Sequence, residues 1–441
     1  MLSQHVHPSW SKNSSKALIL DLFRILSRGN QKLPGYQGIL VSPHRFHWFG
    51  ISQRKSALLS FLRGFQWIIP SPPPTNSSLK MEKPSKNEIS KGSLYELLAA
   101  LEWTMDDFEQ ADFSKEMHRT LSRQRHYQKE LDRIFRSFDI SHSVAPQGFF
   151  LDSFEISRKC HERKIPSLMV ENTFLHDRIL VEPTDPNYFI GKCLSSHAED
   201  FSSLKKVTRR EIDQRVRNHL IRPKSDQHRT SGGKIPASLK NYVLFLGQVF
   251  TDASLIFNQC DYSKNCIELM SEIIAISKSL GKPIVLKLHP KERHGFDPVN
   301  FRPYDNLTHR KLLDAGISEA SEEGIFIDFE DRWSTFELMQ NASLAITINS
   351  QSGFEAMLLG KEVISCGNSY YGNLNSCITP KDKDSLSSAM KRTLIEGMKA
   401  NDQSECWNFF DYIRNDYFIK KHKTNVFSKI DRRLKENFYK N

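Results

Sequence analysis

The sequence predicts an α/β protein of two Rossmann-like domains facing each other across a cleft, and three observations carry that prediction. From Tyr242 onward, short apolar runs alternate with helical patterns, and such alternation builds a parallel sheet covered on both faces. A smaller strand–helix–strand unit lies upstream, between Val144 and Val170. Between the two runs "RPKSDQHRTSGGKIPASLK", polar and rich in Gly, Pro and Ser, which is linker chemistry. The expected organisation is an N-terminal domain over 1–225, a linker over 226–240, a C-terminal domain over 241–405 and a basic helical tail over 406–441.

In chain order, residues 38–43 read as a strand, 55–64 as a helix and 65–69 as a strand. Residues 70–92 form a Pro-, Ser- and Lys-rich loop with too little apolar content to fold, and are expected to be disordered. "SLYELLAALEWTMDDFEQ" and "HRTLSRQRHYQKELDRIFRSF" carry helical patterns. "FEISRKCHERK" is the helix between a strand that begins at Val144 and another over 165–170. Past the linker, "YVLFLGQV" is a continuous apolar strand. "NCIELMSEIIAISKSLG" then places Cys266, Leu269, Met270, Ile273, Ile274 and Leu280 on one helical face, with Gly281 as its stop. "PIVLKLHP" and "GIFIDF" are further strands, "TFELMQNA" is a helix, and "LAITINSQSGFEAMLLGKEVISCG" reads strand, polar turn, helix, strand.

Composition narrows the class. The chain has 441 residues, 39% of them apolar, enough for two or three domains with cores that need no stapling. Seven scattered cysteines with no CxxC pair argue against a disulfide framework or a zinc ribbon and for a reducing cytoplasm. The first residues lack a long apolar core and a cleavage site, so no secretory signal is expected. "ALILDLFRIL" and "ALLSFLRGFQWII" contain charge and fall short of a membrane span. The net charge of +11 is uneven: residues 413–441 hold nine Lys/Arg against three Asp/Glu. Such an excess suits an anionic partner, or is simply solvated surface. Nucleic acid is disfavoured, because the excess lies in a tail without a reading motif. In that tail Val426, Ile430, Leu434 and Phe438 recur at i+4 among Lys and Arg. This is the pattern of a basic amphipathic helix, for an anionic bilayer or for packing on the first domain.

Three polar clusters fall at strand C-terminal ends in the second domain: "QVFTDAS" over 248–254, His289 with Pro290, and "NSQSGFE" over 349–355. Each alone has an ordinary explanation as a cap or turn. A parallel sheet, however, directs all three loops to one edge, where ligands of open α/β sheets bind. The helix that opens at Ser350 has unpaired N–H groups and a partial positive charge, which suits a phosphate. Ser350 and Ser352 add hydroxyls, Gly353 would let the backbone approach closely, and Glu355 is placed for a ribose diol. His289 from the neighbouring strand would donate to the same phosphate, with Pro290 fixing the backbone after it. Together they describe a site for the phosphate of a nucleotide sugar, without a P-loop, a dinucleotide-binding glycine motif or HExxH. No metal and no further cofactor are expected.

On "GQVFTDAS", "VLKLHP", "TINSQSGFEAMLLGKEVISCGNSYYG" and "IPSLMVENTFLHDRILVEPTDPNY" the chain resembles the capsule polysaccharide biosynthesis proteins, over roughly residues 143–374. That family includes retaining β-Kdo transferases. The resemblance implies a GT-B glycosyltransferase, with an acceptor-side first domain and a nucleotide-sugar-binding second one. It implies CMP-Kdo as donor and a lipid-linked saccharide acceptor at the inner membrane face, for a cytoplasmic or peripheral enzyme. By resemblance His289, Ser350, Ser352 and Glu355 hold the nucleotide, and Asp252 matches the acidic position that attacks the sugar. Gln248, Ser254, Lys287, Pro290, Asn349 and Gly353 complete the expected donor set. The sequence departs from the family in Thr251, where relatives often carry a second acid, in "EPTDPNY" and in "KLHP". The alternatives are a transferase for a UDP-sugar, a nucleotide-sugar epimerase, or a non-catalytic polysaccharide assembly or export protein.

Further residues have two readings. Glu171 and Asn172, ending a first-domain strand, and His44, near the end of the first strand with His47, are candidates for acceptor or sugar contact or are structural. Lys287 reaches the cleft or lines the sheet rim. Asp252 attacks the sugar or caps the helix that follows it. Asp328, Glu330 and Asp331 read as a solvated turn.

Overall fold

The computed structural model describes the strands Ile39–Val41 and Gln66–Ile68 and residues 85–420. It omits 185–190, 197–200, 202–205, 221–232, 295–302, 320–322 and a few single or paired residues. The fold is α/β, in two compact units. The first comprises Met1–Leu101, Gln110–Tyr188 and Tyr417–Asn441, and the second Glu102–Glu109 and Phe189–Asp416. The division thus falls at 188/189, ahead of the expected linker, whose described part already belongs to the second unit: the Gly233 N–H donates to the Arg332 carbonyl at 3.1 Å.

In the first unit β1 (Ile39–Val41) pairs in parallel with β2 (Gln66–Ile68). Helix α1 (Lys91–Leu101) follows a 3₁₀ turn at Lys86–Glu88, which Ser85 and Glu88 close with a reciprocal cap. Residues 85–92 are therefore ordered structure, whereas 70–84 lie outside the described residues. The helical run of 93–110 breaks at Glu102, whose φ of 56° ends α1. Thr104 and Asp107 then cap α2 (Met105–Gln110). Helix α3 (Lys115–Ser137) buries Met117, Leu121, Tyr127, Leu131 and Ile134, a 3.6-residue stripe.

Strand β3 (Ser143–Pro146), helix α4 (Leu151–Glu162) and strand β4 (Ser167–Asn172) form the expected parallel crossover. Strand β5 (Arg178–Pro183) instead returns antiparallel to β4, so this sheet is mixed rather than all-parallel. The turn of 173–177 is too short for the crossover a parallel neighbour needs.

The second unit continues with helices α5 (Lys192–Ser195) and α6 (Arg209–His219), then a five-stranded all-parallel sheet. Its elements are β6 (Val243–Leu246), α7 (Ala253–Asn258), α8 (Cys266–Ser279), β7 (Ile284–Lys287), α9 (Lys291–His294), α10 (Leu307–Asp314), β8 (Ile325–Asp328), α11 (Thr335–Asn341), β9 (Leu344–Thr347), α12 (Gln351–Leu358) and β10 (Val363–Ser365). Strands β6, β7 and β9 are buried at every position, as the continuous apolar runs "VLFL", "IVLK" and "LAIT" require. Val243, Phe245, Ile284, Leu286, Leu344 and Ile346 form one core with Cys266, Leu269, Met270 and Ile273 of α8. The Asn265 side chain caps α8, and Gly281 ends it at φ 64°.

The strand order is β8-β7-β6-β9-β10. Counted from β6, the order is 3-2-1-4-5, the doubly wound pattern whose switch point lies between β6 and β9. Register aligns Asp328, Lys287, Leu246, Thr347 and Ser365 in one row across the carboxyl ends.

The chain then forms α13 (Lys383–Leu394) and α14 (Gln403–Tyr412). The second domain was expected to end at 405, but α14 belongs to its core. Cys406, Trp407, Phe409 and Phe410 are fully buried, and Phe409 meets Phe354 of α12 edge-to-face at 5.5 Å. After a π-helical turn at Ile413–Tyr417, β11 (Ile419–Lys420) joins the first unit's sheet, antiparallel to β5. The basic amphipathic pattern of 426–438 lies outside the described residues, as do the expected helix at 55–64 and His44 with His47. No described helix is long and apolar enough to cross a membrane.

Candidate functional site

The loops that follow β6 and β9 meet at the switch point. Residues 101 positions apart are joined there: the Gln248 amide donates to Asn349 Oδ1 at 2.9 Å and to Ser254 Oγ at 2.8 Å. Asn349 Nδ2 donates back to the Ser254 carbonyl at 3.1 Å, and Ser254 Oγ lies 3.0 Å from Asn349 Oδ1. Four residues marked in the sequence, Gln248, Asp252, Ser254 and Asn349, therefore form one network. Three of them spend their polar groups on one another, so their work is to fix the two loops rather than to offer free donors to a ligand.

Asp252 is the exception. Its Oδ1 accepts from the Ser254 N–H at 2.9 Å and the Ser254 hydroxyl at 2.7 Å, the geometry of a cap on α7. Its Oδ2 has no partner among the described residues, and the side chain is half-buried. The carboxylate is anchored by one oxygen and presents the other. The capping and the attacking roles are thus compatible in one side chain.

At the end of β9, Ser350 caps α12 through its hydroxyl, which accepts from the Ser352 N–H at 3.3 Å. The Gly353 N–H donates to the Ser350 carbonyl at 3.0 Å. That leaves the Gln351 N–H and the Ser352 hydroxyl as the donors at this helix end without a partner among the described residues. Two residues not marked in the sequence hold the turn. Thr347 Oγ1 donates to the Leu246 carbonyl at 3.1 Å and accepts from the Ser350 N–H at 3.2 Å. The Tyr371 hydroxyl donates to the Ser350 carbonyl at 2.6 Å. The paired tyrosines of "SYYG" were the available signal for Tyr371.

Gly353 has a different reason from the one expected. A Cβ there would lie 2.2 Å from the Tyr371 hydroxyl and 2.8 Å from Thr347 Cγ2. The glycine makes room for the clamp, not for a ligand. Glu355 is buried, with 3% exposure, on the side where Tyr370 and Tyr371 pack against Phe354. Burial, and then the nearby Tyr371 and Glu355, push the Tyr370 phenol well above its ordinary range.

After β7, His289 Nδ1 accepts from the Lys291 N–H at 3.1 Å. An accepting Nδ1 puts the proton of a neutral imidazole on Nε2, the tautomer that donates to an anion. Pro290 follows, half-buried, and α9 starts directly after it.

Lys287 does not join this group. It is 2% exposed, and its ammonium donates to Asp328 Oδ2 at 2.7 Å and Asp331 Oδ1 at 2.5 Å. Register places Lys287 beside Asp328, and the Arg332 and Trp333 N–H groups complete the shell around that carboxylate. Lys287 is a structural lock at the sheet's end, and Asp328 and Asp331 are buried members of it rather than a solvated turn. The chain's one Asp-x-Asp, Asp382-Lys383-Asp384, opens α13, where Asp382 accepts from the Ser385 N–H at 2.7 Å as a cap. In the first unit Glu171 and Asn172 end β4 half-buried, with the Asn172 N–H donating to Glu171 Oε1 at 2.8 Å.

The profile of the family described as "Capsule polysaccharide biosynthesis protein" matches residues 152–375, just over half of the chain. Protein FixF of Sinorhizobium fredii (strain NBRC 101917 / NGR234) is 35% identical over 86 residues, 20% of each chain, so the match spans about a fifth of that relative's length. Among solved structures, the KpsC beta Kdo 2,4 transferase of Thermosulfurimonas dismutans is 19% identical with a TM-score of 0.39, over 61% of this chain and 79% of that one. The beta Kdo 2,7 transferase of the same KpsC is 17% identical with a TM-score of 0.37, over 65% and 89%. The UDP-GlcNAc 2-epimerase of Methanocaldococcus jannaschii is 14% identical with a TM-score of 0.34, over 79% and 92%. The matched residues contain all five strands of the parallel sheet and the whole switch-point network, and the chain belongs to the capsule polysaccharide biosynthesis protein family.

Proposed function

We propose that this chain is a glycosyltransferase that takes a sugar from a nucleotide-sugar donor, CMP-Kdo by preference, and passes it with retention to a lipid-linked saccharide. The observation that carries the reading is Asp252: one carboxylate oxygen is held by Ser254 and the other has no partner among the described residues, at the switch point of a doubly wound sheet. The His289 Nε2–H, the Gln351 N–H and the Ser352 hydroxyl supply donors for the donor's phosphate from the adjoining strand ends. Asp252 Oδ2 attacks the anomeric carbon while the bond to the phosphate oxygen breaks and the nucleotide leaves with the electron pair. The acceptor hydroxyl then displaces the carboxylate and its proton passes to solvent, so two inversions yield retention. The preference for CMP-Kdo rests on the likeness of the "LHP" and "NSQSGFEA" segments to the family's transferases. The basic segment beyond Lys420 suits an anionic bilayer that would hold a lipid-linked acceptor.

The cap made by Asp252 favours one competing reading, a non-catalytic assembly protein in which the residue only starts α7. Asp252→Asn separates the two, because asparagine caps nearly as well and cannot attack a sugar. The expected variant is folded, binds CMP as wild type does and has lost almost all transfer. Wild type given donor alone should carry a sugar adduct on the peptide that contains Asp252. Near-normal turnover by the asparagine variant, in a screen of CMP- and UDP-sugars with synthetic lipid acceptors, would remove the catalytic assignment.

A further inference from the structure

Glu292 lies three residues beyond His289 and is fully buried, with 0% exposure. Its carboxylate accepts from the Thr308 N–H at 2.9 Å and also from the Thr308 hydroxyl. The same hydroxyl oxygen accepts from the Phe250 N–H at 2.9 Å, two residues before Asp252. The Glu292 N–H donates to the His289 carbonyl at 2.8 Å, and the Asn306 N–H donates to the Glu292 carbonyl at 3.1 Å. One buried carboxyl and one buried hydroxyl therefore connect the loop that carries His289, the start of α10 and the loop that carries Asp252. Thr308 is 1% exposed and Phe250 6%, so no water replaces a lost partner cheaply.

We propose that Glu292 and Thr308 are positioning residues, a relay that sets the Asp252 loop against the His289 loop through the Phe250 N–H. The proposal rests on the reading of Asp252 and His289 given above. The chemistry supports a positioning role over simple filling. An apolar pair would occupy the same space without the cost of burying an ionisable group. A fully satisfied polar network, in contrast, admits a single arrangement of the backbone it holds. The distance between an attacking carboxylate and a phosphate donor must be held to a fraction of an ångström, since a displacement of about 1 Å can cost about a hundredfold in rate.

Thr308→Val keeps the volume and removes the hydroxyl oxygen that accepts from the Phe250 N–H. Thr308→Ser restores the hydroxyl. The test uses the full chain with three readouts: CMP affinity by calorimetry, turnover of CMP-Kdo onto a synthetic lipid acceptor, and deuterium exchange of the peptide spanning 248–252. Expected for Thr308→Val are CMP affinity within threefold of wild type, turnover reduced at least thirtyfold and exchange at least tenfold faster. Thr308→Ser should return all three to within threefold.

Equal losses of CMP affinity and turnover would make the network a general support of the unit and overturn the positioning role. Wild-type turnover by Thr308→Val beside an inactive Asp252→Asn would overturn the relay while leaving the site reading intact. Where wild type turns over no donor, or Asp252→Asn stays active, the site reading fails and exchange alone decides: unchanged protection over 248–252 sinks the relay. Should Thr308→Val not fold, Glu292→Gln, which keeps the shape and one acceptor, is measured in its place with the same expected split.

Discussion

Replacing Lys287 by methionine tests whether that residue supports the sheet or holds a ligand. The side chain keeps its length and loses its ammonium, leaving Asp328 and Asp331 to face each other in a site where they are 0% and 7% exposed. Asp328 retains the Arg332 and Trp333 N–H groups at 2.8 and 3.1 Å, but both carboxylates lose the cation at 2.7 and 2.5 Å. Breaking a buried pair by removing one partner costs about 3–5 kcal/mol. For a unit in the 150–250 residue class that is a fall in melting temperature of roughly 6–20 °C. Scanning calorimetry should show that deficit. Asp331→Asn in the same chain should recover part of it, because Asp331 sits at φ 53°, where asparagine is well tolerated. A Lys287→Met protein that melts within about 2 °C of wild type and has lost CMP binding would refute the reasoning and return Lys287 to the ligand set.

Three other outcomes follow from the same geometry. His289→Ala should weaken CMP binding by about 1.5–3 kcal/mol, one to two decades in calorimetry, and an unchanged dissociation constant in a folded variant would make His289 structural. Gly353→Ala puts a methyl 2.2 Å from the Tyr371 hydroxyl and should destabilise by about 1–3 kcal/mol, with Tyr371→Phe in the same chain recovering part of the loss; strict additivity in chemical denaturation would argue against the clamp. Burial holds the Glu292 carboxyl above the usual carboxylate range, against the opposing Thr308 hydrogen bonds, so its stabilising neutral form is lost as pH rises through the folded pKa. The melting-temperature gap between wild type and Glu292→Gln should accordingly narrow from pH 4 to pH 8, and a gap independent of pH would contradict that ionisation.

The parallel sheet was legible because its strands are buried on both faces and therefore read as unbroken apolar runs. The three polar clusters were legible for the complementary reason, since each run ends abruptly in amides, hydroxyls or a histidine. What each polar residue does was harder to read. Lys287 looks like any strand-end cation until register sets Asp328 beside it, and no spacing within one strand encodes its neighbour in the next. Gly353 reads as room for a phosphate because the tyrosine that needs the room lies 18 positions away. The antiparallel return of β5 was missed because "RILVEP" alternates no differently from a parallel strand. The apolar face of α14 was hidden by the charge of the residues that follow it.

The placement of β11 also bears on the order in which the chain acquires its structure during synthesis. Strand β5 is complete at Pro183, yet its outer edge waits for Ile419 and Lys420, and buried Glu182 waits for the Tyr417 hydroxyl at 2.6 Å. At about 5–20 residues per second, that interval is on the order of ten to fifty seconds. The second unit, continuous from Phe189 to Asp416 apart from Glu102–Glu109, is fully synthesised before it ends. The N-terminal unit is thus the later of the two to be finished, and until then it carries an open strand edge, a template for non-native pairing. A ribosome that stalls or terminates a few residues before Tyr417 would release a chain with its parallel sheet intact and its first sheet unsealed.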